Sequence, residues 1–431
     1  MRDSTAVLHS PFARGTRLRG FAPERLLPPA QAVVLYLGSA SLRAPECEMV
    51  ALEAAAGRVL ATDAVAREDH PSHARSTMDG FALASASGAT RRRIAGTVTM
   101  GAPPPHAVGV DDAMRVPTGG ALPDGADAVV PQEDVEIDGA TIVLLGAIAA
   151  GDSVSQRASD IAVGAVVIAA GRRIGGPELG VLATLGIARV PVFRRPWIGI
   201  ISTGDELIDP AGTPLVGQIR DSNRYAIAGA LLALGAEPVH LPRAADDAVA
   251  LRAALEAGLA QCDALVTTGG SSVGERDLMP QIVAQLGAPG TIVHGLRVKP
   301  GKPTLLAAID GKAVIGLPGN PTSSLMILEA VVRPIVAALV GERDARPTTL
   351  EAIAAAPFVG RTGWTHFMPA RLFVRGTQLI AEPLLIRSAQ TSLLARASGY
   401  ATIGELPDRI EAGARIGITL FASGGSPIGA A

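Results

Sequence analysis

Four short stretches gather glycines, hydroxyls, carboxylates and lysines directly behind apolar runs that read as strands. They are Ser202-Thr203-Gly204-Asp205-Glu206 after Ile201, Thr268 to Asp277 after Thr267, Lys299-Pro300-Gly301-Lys302-Pro303 after Val298, and Gly316 to Pro321 after Ile315. Glycine lets a backbone approach an anion closely, and unpaired N–H groups at a loop or helix start neutralise it without a side chain. The loop from Thr268 to Gly274, with Gly269, Gly270 and Ser272 in it, therefore suits a phosphate, although a flexible turn has the same composition. Lys299 and Lys302 flank a stiff Pro-Gly turn and offer two ammonium groups to one oxyanion; a solvated basic turn is the plainer alternative. Asp205, Glu206, Asp246 and Asp277 stand at or just past strand ends. Carboxylates beside a phosphate repel it unless a hard cation lies between them, the usual arrangement for magnesium. Taken singly, each acid reads as a surface or capping residue.

A second constellation runs from Arg75 to Ala82 and from Pro117 to Val130. Asp79 precedes Gly80, which is ordinary turn chemistry; alternatively the strip projects Asp79 and Thr118 into a neighbouring active site. The histidines fall at no metal-ligand spacing, and the Ser, Cys and His placements give no nucleophile and base pair.

The elements that must position these residues are legible from periodicity. From Pro196 onward, strands at 197–201, 239–241, 264–267 and 313–315 alternate with helices at 222–234, 247–259, 278–286 and 322–339. Strands separated by single helices imply parallel pairing with right-handed crossovers, and such sheets bind ligands beyond their carboxyl ends. Earlier in the chain, apolar residues from Pro29 to Ala61 recur at helical spacing, as in Met49, Leu52, Ala56 and Leu60, and predict a helical entry segment. Residues 62–164 alternate β-like runs with turns, including Asp138-Gly139, and 165–190 return to helix with Pro177 as a first-turn proline and Gly186 as a stop. Beyond Pro347 the texture is short strands and turns. The expected architecture is a multidomain α/β chain with a flexible arm at 1–25 and a helical linker domain formed by 26–61 with 165–194. An inserted β-rich domain spans 62–164, a central three-layer α/β/α domain with a mostly parallel sheet 195–345, and a small β-domain 346–431.

Composition narrows the function classes. A length of 431 residues accommodates several domains, and with only 3% aromatics the cores must be built from Ala, Val, Leu and Ile. A formal net charge of −2 supplies no basic field for nucleic acid. Cys47 and Cys262 suggest neither a disulfide framework nor a thiolate metal site, which fits a reducing cytoplasm. No stretch of ~20 apolar residues is free of Gly, Pro and charge, so no membrane association is expected. The arm with Arg2, Arg14, Arg17 and Arg19 lacks the apolar run of a signal peptide.

Taken in order, Ser76 to Ala82 (STMDGFA), Thr118 to Val130, Asp160-Ile161 after Arg157, Ser202 to Leu207 (STGDEL), Gly217-Gln218-Ile219 with Asp221 and Asn223, Gly269 to Glu275, KPGKP at 299–303 and GLPGNP at 316–321 resemble the MoeA and gephyrin E-domain family of molybdopterin molybdenumtransferases, from about residue 29 to about 420. The resemblance implies a homodimer of elongated four-domain subunits with a MogA-like α/β domain. Its reaction joins adenylyl-molybdopterin with molybdate, aided by a divalent metal such as Mg2+, to give molybdenum cofactor and AMP. It also implies that Asp79 and Thr118 of one subunit act at the α/β domain of the other. Glu206, Asp246 and Asp277 take the acidic metal positions, and Lys299 and Lys302 hold the oxyanion. Ser202, Thr203, Gly204, Asp205, Asp221, Asn223, Gly269, Gly270, Ser272, Gly274, Glu275, Pro303, Pro318, Gly319, Asn320 and Ser323 contact the pterin nucleotide, with Arg371 and Ser388 as further candidates from the C-terminal domain. Expected partners are molybdopterin adenylyltransferase and molybdoenzyme maturation proteins. Ser271, Gly295, Pro369 and Ala397-Ser398-Gly399 depart from the family pattern. Alternatives are a tungstate-loading relative, the adenylyltransferase of the preceding step, and a non-enzymatic scaffold.

Overall fold

A computed structural model describes residues 26–269, 278–385, 391–422, 424 and 428–430. They form two compact units, one holding the residues up to Glu46 together with those from Phe193 on, the other spanning Cys47–Val192. Helix α1 (Pro29–Ser39) opens on a proline, whose missing N–H costs nothing at a helix start. It belongs to the first of these units: Tyr36 is fully buried, and its hydroxyl donates to the Ala307 carbonyl at 3.0 Å.

In the Cys47–Val192 unit, the helix expected around residues 49–60 does not form. Cys47–Ala51 is a strand paired with Arg189–Phe193, followed by a single 3-10 turn at Leu52–Ala54. Gly57, at φ +72°, turns the chain away from helix, and Leu60 instead packs among Ile174, Leu182 and Val190. The β-rich sheet holds β1 (Gly80–Leu83), β2 (Arg91–Thr97), β3 (Asp112–Val116), β4 (Ala128–Pro131), β5 (Val135–Asp138) and β6 (Thr141–Leu144), in the order β4-β1-β3-β2-β6-β5. Strand β1 is covered on both faces: Phe81 and Leu83 face one apolar cluster and Ala82 another. Gly80 permits this close pairing, because a Cβ there would collide with the Val130 carbonyl. The Asp138-Gly139 signal is the β5–β6 hairpin turn. Helix α2 (Gly176–Thr184) carries Pro177 in its first turn and stops before Gly186, whose φ is +68°.

The other unit contains β7 (Trp197–Ser202), α3 (Asn223–Ala233), β8 (Glu237–His240), α4 (Ala248–Gln261), β9 (Ala264–Thr268), α5 (Met279–Leu286), β10 (Pro289–His294), β11 (Val298–Lys299), β12 (Leu305–Ile309), β13 (Lys312–Leu317), α6 (Pro321–Ile327) and α7 (Arg333–Leu339). Six strands make a sheet in the order β8-β7-β9-β13-β12-β10; the first four are parallel, with single-helix crossovers linking β7, β8 and β9, whereas β12 runs antiparallel to both of its neighbours, β13 and β10. Val298 therefore does not end a strand of this sheet. Strand β11 pairs instead with Thr365–His366 of the C-terminal domain. Because β10 runs in the same sense as β13, the 295–304 loop that joins β10 to β12 still emerges on the rim where β7, β9 and β13 end.

The helix expected at 322–339 is present, with a wide π turn at Leu328–Val332 between α6 and α7. Among the described residues it is the one helix long and apolar enough to cross a membrane, and two-thirds of that stretch is buried inside the fold. The C-terminal strands β14 (Thr349–Ala354), β15 (Thr365–Arg375), β16 (Gln378–Pro383), β17 (Gly399–Ile403) and β18 (Arg415–Leu420) pair in the order β15-β16-β14-β18-β17. Strand β17 returns to β15, closing the sheet around Phe358, Met368, Leu372 and Ile418.

Candidate functional site on the carboxyl rim of the sheet

Three strand ends are laced together by one buried amide and one backbone hydrogen bond. Asn223, in the first turn of α3, donates to Thr268 Oγ1 at 2.7 Å and to the Gly319 carbonyl at 2.8 Å, joining the loops after β9 and β13. The Thr203 N–H donates to the Thr268 carbonyl at 2.9 Å, which draws in the loop after β7. Gly269, at φ +91°, sits where any Cβ would collide with the Thr203 carbonyl, so only glycine closes this corner. Gly319 lies against Gly269, and Asn320 caps α6 by accepting the Ser323 N–H at 3.3 Å. Ser202, Thr203, Gly204, Asp221, Asn223, Gly269, Pro318, Gly319, Asn320 and Ser323 thus belong to one rim, with glycine backbone and a helix start on it, an arrangement suited to anions.

Ser202 Oγ, Thr203 Oγ1, Asp221 Oδ2 and Asn223 Oδ1 are buried without a hydrogen-bond partner among the described residues. Such groups cost about 1–3 kcal/mol each when left unsatisfied, and they concentrate where a polar guest or solvent completes the network.

The acids come from two adjacent loops. Asp205 and Glu206 are exposed on the turn after β7, and the Glu206 carboxylate lies beside Gly204. The Asp246 N–H donates weakly to Asp205 Oδ1 at 3.5 Å, bringing the loop after β8 alongside. Among the described residues, no three His, Cys, Asp or Glu side chains are grouped to hold a metal ion. Asp277 lies outside the described residues, as do Gly270, Ser272, Gly274, Glu275 and Ser388, and with them the remainder of the expected phosphate loop.

The lysine loop is rigid by its own bonding. Gly295 N–H donates to the Thr304 carbonyl at 2.8 Å, Leu296 N–H to the Lys302 carbonyl at 2.9 Å, and Thr304 Oγ1 to the Gly301 carbonyl at 2.7 Å. Gly301, at φ +106°, is pressed against Ile327 of α6, leaving no room for a side chain. Lys299 is exposed, with His366 opposite it in the β11–β15 register. The Lys302 ammonium stands 6.0 Å from the centre of the Trp364 ring, and the Arg361 guanidinium 5.4 Å from the same ring. Burial, reinforced by the positive charge of Lys299, pushes the His366 pKa down to about 4, so this imidazole is neutral near pH 7. Pro303 follows in the same loop. Arg371 is ion-paired to Glu382 at 2.9 Å and lies over Phe373 on the closed sheet.

In the Cys47–Val192 unit, Asp79 and Thr118 do meet. Asp79 Oδ1 accepts the Thr118 N–H at 2.6 Å and the Thr118 hydroxyl at 2.8 Å, and these bonds hold the carboxyl below its ordinary range. Around them, Gln132 N–H donates to the Asp79 carbonyl and Gly119 N–H to that of Ser76. Arg157 is ion-paired to Asp69.

Sequence reasoning missed Trp364, Arg361 and His366, which lie in a β-rich tail without a local motif. Two hollows of about 500 and 400 Å3 sit around Arg43 and Asp310, at the opposite edge of the sheet where β13 begins.

This architecture is that of α/β proteins that receive anionic ligands beyond the carboxyl ends of parallel strands. Residues 27–186 match the family described as MoeA N-terminal region (domain I and II), and residues 199–338 match a probable molybdopterin binding domain. The chain is 32% identical over 367 residues to the molybdopterin molybdenumtransferase of Bacillus subtilis (strain 168), covering 82% of this chain and 85% of that relative. A structure of the molybdopterin biosynthesis MoeA protein of Pyrococcus horikoshii superposes with a TM-score of 0.75 at 30% identity, covering 92% of this chain and 99% of that one. A second, from Pyrococcus horikoshii OT3, gives 0.80 at 26% identity over 92% and 100%. The chain belongs to the MoeA family of molybdopterin molybdenumtransferases.

Proposed function

We propose that this chain is a molybdopterin molybdenumtransferase, taking adenylyl-molybdopterin and molybdate to molybdenum cofactor and AMP, and that it works as a cytoplasmic homodimer. The observation that supports this most is the joining of three strand-end loops by the Asn223 amide and the Thr203–Thr268 backbone bond, on the same rim that receives the Lys299–Lys302 loop. Backbone N–H groups of the glycine turn at Gly319 neutralise phosphate oxygens, while Lys299 and Lys302 offset the two negative charges of molybdate. Glu206 and Asp246 offer hard oxygens from adjacent loops, which suits a magnesium ion that would take most of its coordination from substrate phosphate oxygens and water. When bound, the cation would draw negative charge from the phosphoanhydride between pterin phosphate and AMP as that bond breaks. The Asp79–Thr118 pair of one subunit would complete the rim of the other.

The test is to incubate the purified protein with adenylyl-molybdopterin, magnesium and increasing molybdate while measuring AMP. Release of AMP that rises with molybdate is expected. No AMP, or release indifferent to molybdate, would reject the reading.

A further inference from the structure

The C-terminal sheet enters the rim through one aromatic residue. Strand β15 pairs with β11 in the register Val298↔Thr365 and Lys299↔His366, and the Thr365 N–H donates to the Arg297 carbonyl at 3.1 Å. The residues just ahead of β15 are thereby brought against the lysine loop. Trp364 N–H donates to the Arg361 carbonyl at 3.0 Å, folding Arg361 back beside the indole that also meets Lys302. Charges nearby differ in their use. Arg297 is neutralised by Glu405 at 2.8 Å and Arg371 by Glu382. Among the described residues, neither Arg361 nor Lys299 has a carboxylate within ion-pair distance, and both are exposed. Two cations on one ring beside a third, exposed one repel each other, and a dianion placed between them relieves that repulsion. The ring face meanwhile attracts both side chains and limits where they can swing.

We propose that Trp364 is a positioning residue that holds Lys302, and that Arg361 is a third cation of the oxyanion site, both contributed by the C-terminal domain. The proposal rests on the transferase reading for the identity of the oxyanion. Arginine's planar fork of N–H donors suits adjacent oxygens of a tetrahedral anion, whereas a lysine acts as a point charge.

Calorimetric titration of molybdate into the full-length protein tests it without turnover, using W364A, W364F and R361Q beside the wild type. Weakening of molybdate binding by about 2- to 30-fold is expected for W364A and R361Q, with W364F restoring most of the loss because it keeps an aromatic face. In steady-state assays the molybdate KM should rise by the same factor while the adenylyl-molybdopterin KM stays within about twofold. Unchanged molybdate binding in either W364A or R361Q, an equal rise in both KM values, or a W364F as impaired as W364A would overturn the proposal. A wild type that releases no AMP, yet binds molybdate through these residues, would reject the transferase reading and leave the oxyanion site standing.

Discussion

Asp79 and Thr118 are 39 positions apart and meet through two hydrogen bonds to a single carboxylate oxygen. The Thr118 N–H contributes most to lowering the Asp79 pKa and the hydroxyl comes next. A carboxyl whose folded pKa is depressed adds stability above its unfolded value of about 3.9, and that contribution is lost as pH falls through the folded value. Thr118→Val keeps the N–H and removes the hydroxyl, so it should raise the Asp79 pKa toward the ordinary range, as followed by carboxyl carbon NMR titration. If the bond orients Asp79 for catalysis, AMP release should also slow roughly 10- to 100-fold. A raised pKa with unaltered turnover would return Asp79 to a turn-forming role. At this scale, legibility in the sequence depended on locality. Asp79, Glu206 and the lysines lie in short local strings through which the chain resembles its family, whereas the contact of Lys302 with Trp364 joins residues 62 positions apart through strand pairing.

Elements were legible where one helix separates two strands. Strands β7, β9 and β13 and helices α3, α4 and α5 lie where periodicity places them, with Asp247 capping α4 by accepting the Val249 and Ala250 N–H groups. The antiparallel pair β10 and β12 was hidden, because Pro289-Gly290 reads as a break and no helix sets either strand apart from its neighbours. The π turn between α6 and α7 was hidden too, since helical spacing does not register one extra residue. Its consequence is energetic. Glu329 is buried there and accepts the Ala422 N–H at 3.0 Å, with Arg333 3.8 Å away donating to the Leu420 carbonyl at 3.2 Å. Burial raises the Glu329 pKa, while the Ala422 bond and Arg333 pull it back. The helix of the α/β domain is thus bonded to the end of the closed sheet. Glu329→Ala leaves the Ala422 N–H without its acceptor, and should destabilise this unit by about 1–3 kcal/mol in chemical denaturation. A variant as stable as the wild type would show that this junction contributes nothing to the fold.

At the scale of the whole molecule, the proposed homodimer makes a prediction that no single chain can. In a twofold dimer the same surfaces meet twice, so a loop of one subunit that completes its partner's rim does so at both sites. Each site then draws Asp79 from one chain and Glu206 from the other. Asp79→Asn and Glu206→Gln should each abolish AMP release when every subunit carries the change. Mixed and allowed to exchange subunits, the two variants form hybrids in about half of the dimers, and each hybrid has one site with both defects and one with neither. Activity should therefore recover to about a quarter of the wild type. If Asp79 and Glu206 served the same chain's site, every site in the hybrid would be defective and the mixture would stay inactive. Light scattering of differentially tagged subunits confirms that hybrids have formed. An inactive mixture that contains them would rule out the shared site and assign Asp79 to its own chain.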